Sequence, residues 1–410
     1  MASQYDIAII GAGIIGLATT LKIAERYPRA KLLILDKEPQ IAQHQTGHNS
    51  GVIHSGLYYR PGSMKARTCV SGRKALMEFC DQNGIPYEIC GKIVVATSEA
   101  EVPRLEELHR RGVANGLEGL EMIGTDRLKA FEPHARGVKA LRVPATGIID
   151  YQKVAGAYAD NIRATGGDIR TSHRVTGILE RDGELVIETS LGDYRAKRLI
   201  NCCGLHSDHV AKMAPATDNS ANSEDHRIIP FRGEYYKLTP EKQFLVRNLI
   251  YPVPDPSFPF LGVHFTRMIG GGVEAGPNAV LAFAREGYRK TDIKPSDLWQ
   301  TVAFRGFWAM ARKYWQTGFG ELYRSLSKAA FVRALQKLLP EINREDLIPG
   351  GSGVRAQAVS ASGALIDDFV VRQSRNSIHV LNAPSPGATA SLAIGQIIAE
   401  MAAKEFSLRG

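Results

Sequence analysis

The chain has 410 residues, 44% hydrophobic and 23% charged, an ordinary soluble globular composition with enough length to bury a core in two domains or one large unit. No run of about 18 apolar residues occurs, so no bilayer-spanning helix is expected. Five cysteines, two of them adjacent (Cys202, Cys203), lack metal-type spacing and form no disulfide framework, which favours a reducing compartment. A net charge of +9 favours acidic substrates, anionic membrane surfaces or nucleic acid.

Residues 5–10 (YDIAII) read as a buried parallel strand, and no positively charged lead with a long apolar stretch precedes them, which argues against a secretory signal. Gly11-Ala12-Gly13-Ile14-Ile15-Gly16 follows, then a helical stretch that stops at Pro28, then a second strand over 31–35 ending on Asp36. A lone GxGxxG is weak evidence, but one that follows a strand, opens a helix and is answered by an acid twenty residues after Gly16 is a dinucleotide fingerprint. Gly11 permits the tight turn, Gly13 the approach of a diphosphate and Gly16 close helix–strand packing. Asp36, with Lys37 beside it, is placed to accept hydrogen bonds from an adenosine ribose. The turn leaves FAD and NAD both open, and cofactor-like pieces dispersed from the N-terminus to the C-terminus favour FAD.

Residues 44–56 (HQTGHNSGVIHSG) follow, with His44, His48 and His54 among glycines and small polar residues. No nearby Cys or acid in the sequence completes a zinc-type set, so no metal is expected. Residues 99–130 are charged and helical in pattern. The strand-then-glycine pattern returns over 197–204, and 213–226 reads as an exposed polar loop. Residues 226–283 are rich in aromatics, Pro and Gly and read as antiparallel strands. A last strand over 377–381 leads through NAPSPGATAS into a helix.

The GAGIIG turn, HQTGHNSGVIHSGLYYRPGSMKA, PFRGEYY, PFLGVHFTR, GVRAQAVS and NAPSPGATAS together resemble the FAD-dependent L-2-hydroxyglutarate oxidase/dehydrogenase family, within the glycine-oxidase and D-amino-acid-oxidase-like flavoproteins. The resemblance runs from about residue 4 to about residue 400 and departs most over 213–226. It implies an α/β fold in which a Rossmann-like FAD-binding domain (1–85, 145–225 and 345–410) is interleaved with an α+β substrate domain on an antiparallel sheet (86–144 and 226–344). It also implies that Thr46, His48, Asn49, Ser50 and Gly51 pass beside the cofactor, whose other contacts are Val175, Cys203-Gly204 and Pro386-Gly387-Ala388-Thr389. A covalent flavin link through His44 or His48, and a purely backbone-satisfying role for the three histidines, stay open as alternatives.

Oxidation of a 2-hydroxy acid requires a cation for the carboxylate and a base for the hydroxyl proton. Arg355, in an expected small-residue turn, is the candidate carboxylate clamp, with Arg232 and Arg267 as further cations for a dicarboxylate. His264 is the first candidate base and His54 the second; Tyr235 and Tyr251 are candidates for the substrate's distal end. Satisfied core or surface roles are the alternative for each.

Residues 299–337 hold all three tryptophans (Trp299, Trp308, Trp315), four phenylalanines and seven basic residues against one acid, Glu321. Within the helical segment at 297–338 this composition favours an interfacial membrane helix over a self-packed hairpin with a solvated basic face. The expected partners are a small dicarboxylate, a quinone or oxygen as electron acceptor, and a peripheral membrane surface, with no nucleic acid. The expected location is the cytoplasmic face of a membrane, otherwise the cytoplasm.

Overall fold

The computed structural model describes residues 4–215, 226–255 and 260–406. Parallel pairing of Gln4–Ile10 with Leu32–Leu35 on one side and Tyr194–Asn201 on the other builds the centre of the first sheet. Asp168–Arg170 extends it in parallel beyond Leu32–Leu35, and Ser377–Asn382 pairs in parallel with Tyr194–Asn201. Ile7, Ile9, Leu33 and Ile34 have no solvent exposure, as expected of strands covered on both faces. An antiparallel arm, Val175–Arg181 with Glu184–Thr189, joins at Tyr194–Asn201.

Helices Ile14–Arg26, Met64–Gln82, Tyr151–Ala164 and Ser391–Glu405 contribute to one apolar core with this sheet. Their close approach depends on small residues. A Cβ on Gly395 would lie 2.7 Å from Ala18 backbone, and one on Gly72 would lie 2.6 Å from Ala390 Cα.

The second sheet is mixed but mainly antiparallel. His226–Leu238 pairs along its whole length with Leu347–Ser360, and Val273–Gly276, His264–Arg267 and Leu249–Pro252 follow in order. Lys92–Ala96 pairs in parallel with Leu249–Pro252 and antiparallel with Lys139–Val143.

Two expectations change. Leu347–Ser360 belongs to the antiparallel sheet, although a boundary at 345 put it in the cofactor domain, and Arg355 therefore stands on a strand and not in a turn. The glycines that suggested a turn instead let this strand approach the cofactor-side loop: a Cβ on Gly353 would lie 2.4 Å from the His48 carbonyl oxygen. The charged stretch at 99–130 holds the helices Val102–Ala114 and Thr125–Phe131 with a strand, Glu121–Gly124, between them. The expected loop at 213–226 falls mostly outside the described residues; Met213 closes a helix and His226 opens a strand.

Candidate active site

At the glycine turn, Gly11 has φ +106°, and a Cβ there would lie 2.6 Å from the Cys202 carbonyl oxygen. A Cβ on Gly16 would lie 2.0 Å from the Gly11 carbonyl oxygen, so this helix can start so close to the strand only with glycine. The helix opens at Gly13, which has no side chain to cap it, and its positive end lies at the turn. Asp36 is aimed at the turn by hydrogen bonds from the amides of Ala12 (2.7 Å) and Glu38 (2.9 Å), and Thr46 Oγ1 accepts from the Ile14 amide (3.0 Å). A helix start at a bare Gly13 and a carboxylate with acceptor capacity to spare suit a dinucleotide's diphosphate and ribose.

Neighbouring candidates converge here. The His173 amide donates to the Asp36 carbonyl (2.7 Å), which brings the start of the Val175 strand alongside. Cys203 packs its thiol on the Ile10 carbonyl (3.3 Å), and Gly204 turns away at φ +50°. Asn49 shapes its own loop, accepting from the Gly51 amide (2.8 Å) and donating to the Thr46 carbonyl, with half-buried Ser50 between. Thr389 Oγ1 accepts from the His54 amide (3.1 Å) and bonds the Tyr151 hydroxyl (2.8 Å). This ties Pro386-Gly387-Ala388-Thr389, which leads into the closing helix, to the 52–54 segment.

His44, His48 and Lys37 go elsewhere. The exposed His48 ring stacks on Tyr288 at 4.3 Å, and His44 Nδ1 meets the Tyr288 hydroxyl at 2.9 Å. Lys37 bridges Glu38 and Glu286, the latter at 2.6 Å. The sequence suggested no acid beside His44, yet folding brings Glu38 and Glu286 to it, at 3.0 and 3.6 Å. The Lys37 ammonium already supplies positive charge to these carboxylates. Together with His206, 2.7 Å from Glu286, the group ties the cofactor-side loops to the 284–288 segment.

On the substrate side, His54, His264, Arg355, Tyr235 and Tyr251 do come together. The His264 ring stacks on the buried Tyr251 (3.9 Å), and its Nδ1 meets the Gly262 carbonyl oxygen at 2.8 Å. A carbonyl only accepts, so Nδ1 carries the proton and Nε2 is left as an acceptor. Burial pushes both histidines down to about 3, reinforced by neighbouring Lys92 and Arg355, so both imidazoles are neutral at physiological pH. Burial pushes the Tyr235 phenol up to about 12, with Arg355 opposing. Arg355 lies over the Phe260 ring at 5.3 Å, and no carboxylate pairs with it among the described residues.

Arg232 and Arg267 are placed otherwise. Arg232 is buried against Glu234 (3.0 Å) and the carbonyl of Arg289, and Arg267 is bound to Glu88. Each already has its counter-charge, so neither is a free cation for a substrate.

One residue of the cluster escaped the sequence reading. Lys92 opens the strand Lys92–Ala96 and is only 3% exposed, next to His54 and His264. All five residues of that strand are buried, so no alternation marks the lysine as inward-facing, and only the β-sheet partners reveal it.

Residues 6–401 match the family of FAD dependent oxidoreductases. An L-2-hydroxyglutarate dehydrogenase of Indibacter alkaliphilus is 54% identical over 403 residues, spanning 98% of this chain and 100% of that one. The Escherichia coli K12 L-2-hydroxyglutarate dehydrogenase is 46% identical, across 96% of this chain and 92% of the relative, and the human mitochondrial one is 43% identical, across 99% and 90%. Among solved structures, L-alpha-glycerophosphate oxidase from Mycoplasma pneumoniae with FAD bound superposes with a TM-score of 0.78 at 22% identity, over 99% of this chain and 96% of that one. Glycine oxidase from Geobacillus kaustophilus gives 0.71 at 16%, over 98% and 95%, and these two likenesses speak for the fold. The chain is an FAD-dependent oxidoreductase and belongs to the L-2-hydroxyglutarate dehydrogenase family.

Proposed function

We propose that this protein oxidises L-2-hydroxyglutarate to 2-oxoglutarate in the pocket lined by His54, His264, Arg355, Tyr235 and Tyr251. The observation that carries the reading is Arg355: a guanidinium without a carboxylate partner among the described residues, set beside two neutral imidazoles. That combination binds an anion and accepts a proton in one place. When bound, FAD supplies the two-electron oxidant that takes the hydride from the substrate carbon. Gly11, Gly13, Gly16, Asp36, Thr46, Val175, Gly204 and the 386–389 segment are the residues that would hold it.

Arg355 clamps the carboxylate next to the hydroxyl. It stands two residues from Gly353, which packs on the His48 carbonyl, so it lies near the cofactor-side loop. His54 takes the hydroxyl proton. Its backbone is pinned to Thr389, and neither ring nitrogen makes a hydrogen bond among the described residues, so the ring is free to accept. His264, with its Nδ1 committed and its ring stacked, serves as a fixed acceptor that orients the substrate.

Anaerobic titration of the purified holoenzyme tests the reading. L-2-hydroxyglutarate bleaches the flavin band and the D form does not; flavin that neither form reduces overturns it.

A second observation supports peripheral attachment to an anionic bilayer. No helix among the described residues is long and apolar enough to cross a membrane. Past a kink at Tyr314, the helix Arg305–Leu326 leaves Trp315, Phe319, Leu322 and Leu326 exposed, at spacings of four, three and four residues that place them along one face, and Trp308 is exposed before the kink. Trp315 is 57%, Phe319 66% and Leu326 72% exposed, and Trp299 on the preceding helix 70%. Exposed Arg305, Arg312 and Lys313 share the helix, while its acid, Glu321, is buried against Arg324 and the Ala279 amide. Phe304 and Phe331 belong to the core, so the interfacial face is narrower than the composition of 297–338 suggested.

Exposed aromatics with cations and no exposed acid suit a headgroup layer, from which electrons would pass to a membrane quinone, oxygen being the alternative. The wild type is expected to float with phosphatidylglycerol vesicles. W315A/F319A/L326A weakens partitioning at least about tenfold (~1.4 kcal/mol) while dye-linked activity in solution is kept. Equal flotation of both proteins sinks the idea.

A further inference from the structure

We propose that Lys92 takes the second, distal carboxylate of the substrate and so makes the site selective for dicarboxylates; the inference rests on the function proposed above. The site must supply two positive charges to hold a dianion, and of Arg232, Arg267 and Arg355 only Arg355 has no carboxylate partner among the described residues. Lys92 supplies the other. Its Nζ lies 4.4 Å from the Tyr58 ring centre and 4.9 Å from that of Tyr251, and no carboxylate pairs with it among the described residues. A buried ammonium held only by ring faces is poorly compensated, and an arriving carboxylate would relieve that cost.

The Tyr58 hydroxyl independently points to a ligand, being buried beside Lys92 without a hydrogen-bond partner among the described residues. Lys92 and Arg355 stand on different strands of the same mainly antiparallel sheet, and the Arg355 strand borders the cofactor-side loop through Gly353. The reacting end of the substrate therefore belongs with Arg355 and the distal end with Lys92. The groups around the ammonium are His54, Cys69, Tyr58, Tyr251 and His264, all neutral at physiological pH. Burial brings Lys92 itself down to about 7, so in the free enzyme it is charged below that pH and neutral above it. A bound carboxylate favours the ammonium, so affinity for a dicarboxylate is full below about pH 7 and falls as pH rises through it.

The test compares wild-type, K92M and K92A holoenzymes on L-2-hydroxyglutarate and on L-2-hydroxybutyrate, which lacks the distal carboxylate. K92M lowers kcat/KM for the dicarboxylate about a hundredfold, mainly through KM, and lowers the ratio of dicarboxylate to monocarboxylate turnover at least tenfold. The fall in kcat/KM above pH 7 disappears in K92M, and ethylammonium added to K92A restores part of the dicarboxylate activity. Unchanged FAD content and melting temperature separate this from misfolding. If both substrates lose activity equally in K92M, the distal assignment is overturned. If wild-type enzyme turns over neither substrate, the proposed function has failed instead.

Discussion

Replacing Arg355 with methionine is expected to lower kcat/KM for L-2-hydroxyglutarate about a thousandfold (~4 kcal/mol), with most of the loss in KM. The guanidinium is half-buried, lies over Phe260 and has no carboxylate partner among the described residues, so its charge is available to a ligand. A carboxylate entering this enclosure gives up hydration and regains it only through such a donor pair. Because the clamp holds substrate and transition state alike, its loss raises KM more than it lowers kcat. R355K keeps the charge but not the two-pronged geometry, and should lie between wild type and R355M. A second consequence separates the clamp from a packing role. Arg355 helps hold His54 and His264 low, so its removal lets both imidazoles protonate more easily, and the acid limb of the R355M profile moves to higher pH. Steady-state kinetics on protein with full FAD content decide the matter; a loss under tenfold removes Arg355 from substrate binding.

The cofactor half of this arrangement is local in sequence, which is why it could be read there. Gly11, Gly16 and Asp36 sit within one strand–turn–helix–strand unit, and Gly16 against the Gly11 carbonyl and Asp36 against the Ala12 amide are contacts made inside that unit, although Gly11 also meets the distant Cys202 carbonyl. The proposed substrate pocket is assembled from segments far apart in the chain, and there a residue type reveals chemistry but not a partner. Arg232 and Arg267 look like Arg355 in sequence. What distinguishes them is Glu234 two residues along the same strand in one case and Glu88, brought over from far upstream, in the other. Lys92 was hidden for the converse reason, since a lysine at a strand start ordinarily faces water and this one lies beneath two tyrosine rings. His44 shows the same limit: the acids that meet it arrive through Lys37-Glu38 and through Glu286, more than two hundred residues away. Spacing identifies a cofactor turn; charge pairing across a fold decides which cations remain for a substrate.

His54→Ala is expected to reduce kcat by two to four orders of magnitude, about the contribution of a positioned general base, while His264→Ala acts more on KM. The two rings differ in what they have free. His264 has Nδ1 committed to the Gly262 carbonyl and its face to Tyr251, whereas the His54 ring is uncommitted and its backbone is fastened to Thr389 where the 52–54 and 386–389 segments meet. The pH profile gives an independent check. A base works when deprotonated, and burial has brought His54 down to about 3 from the ordinary 6.5. The free enzyme's kcat/KM should therefore show no acid-side fall through pH 6.5, staying level toward pH 5 where an ordinary histidine would already be mostly protonated. Bound dicarboxylate favours the imidazolium, so the acid limb of kcat lies at higher pH than that of kcat/KM. An acid limb near 6.5 in kcat/KM, or a kcat unaffected in H54A and abolished in H264A, would transfer the proton to the other histidine. With His54 as base, the proton leaves beside the cofactor-side loops while Arg355 holds the adjacent carboxylate, so both charges of the reacting end are handled on the same side of the pocket.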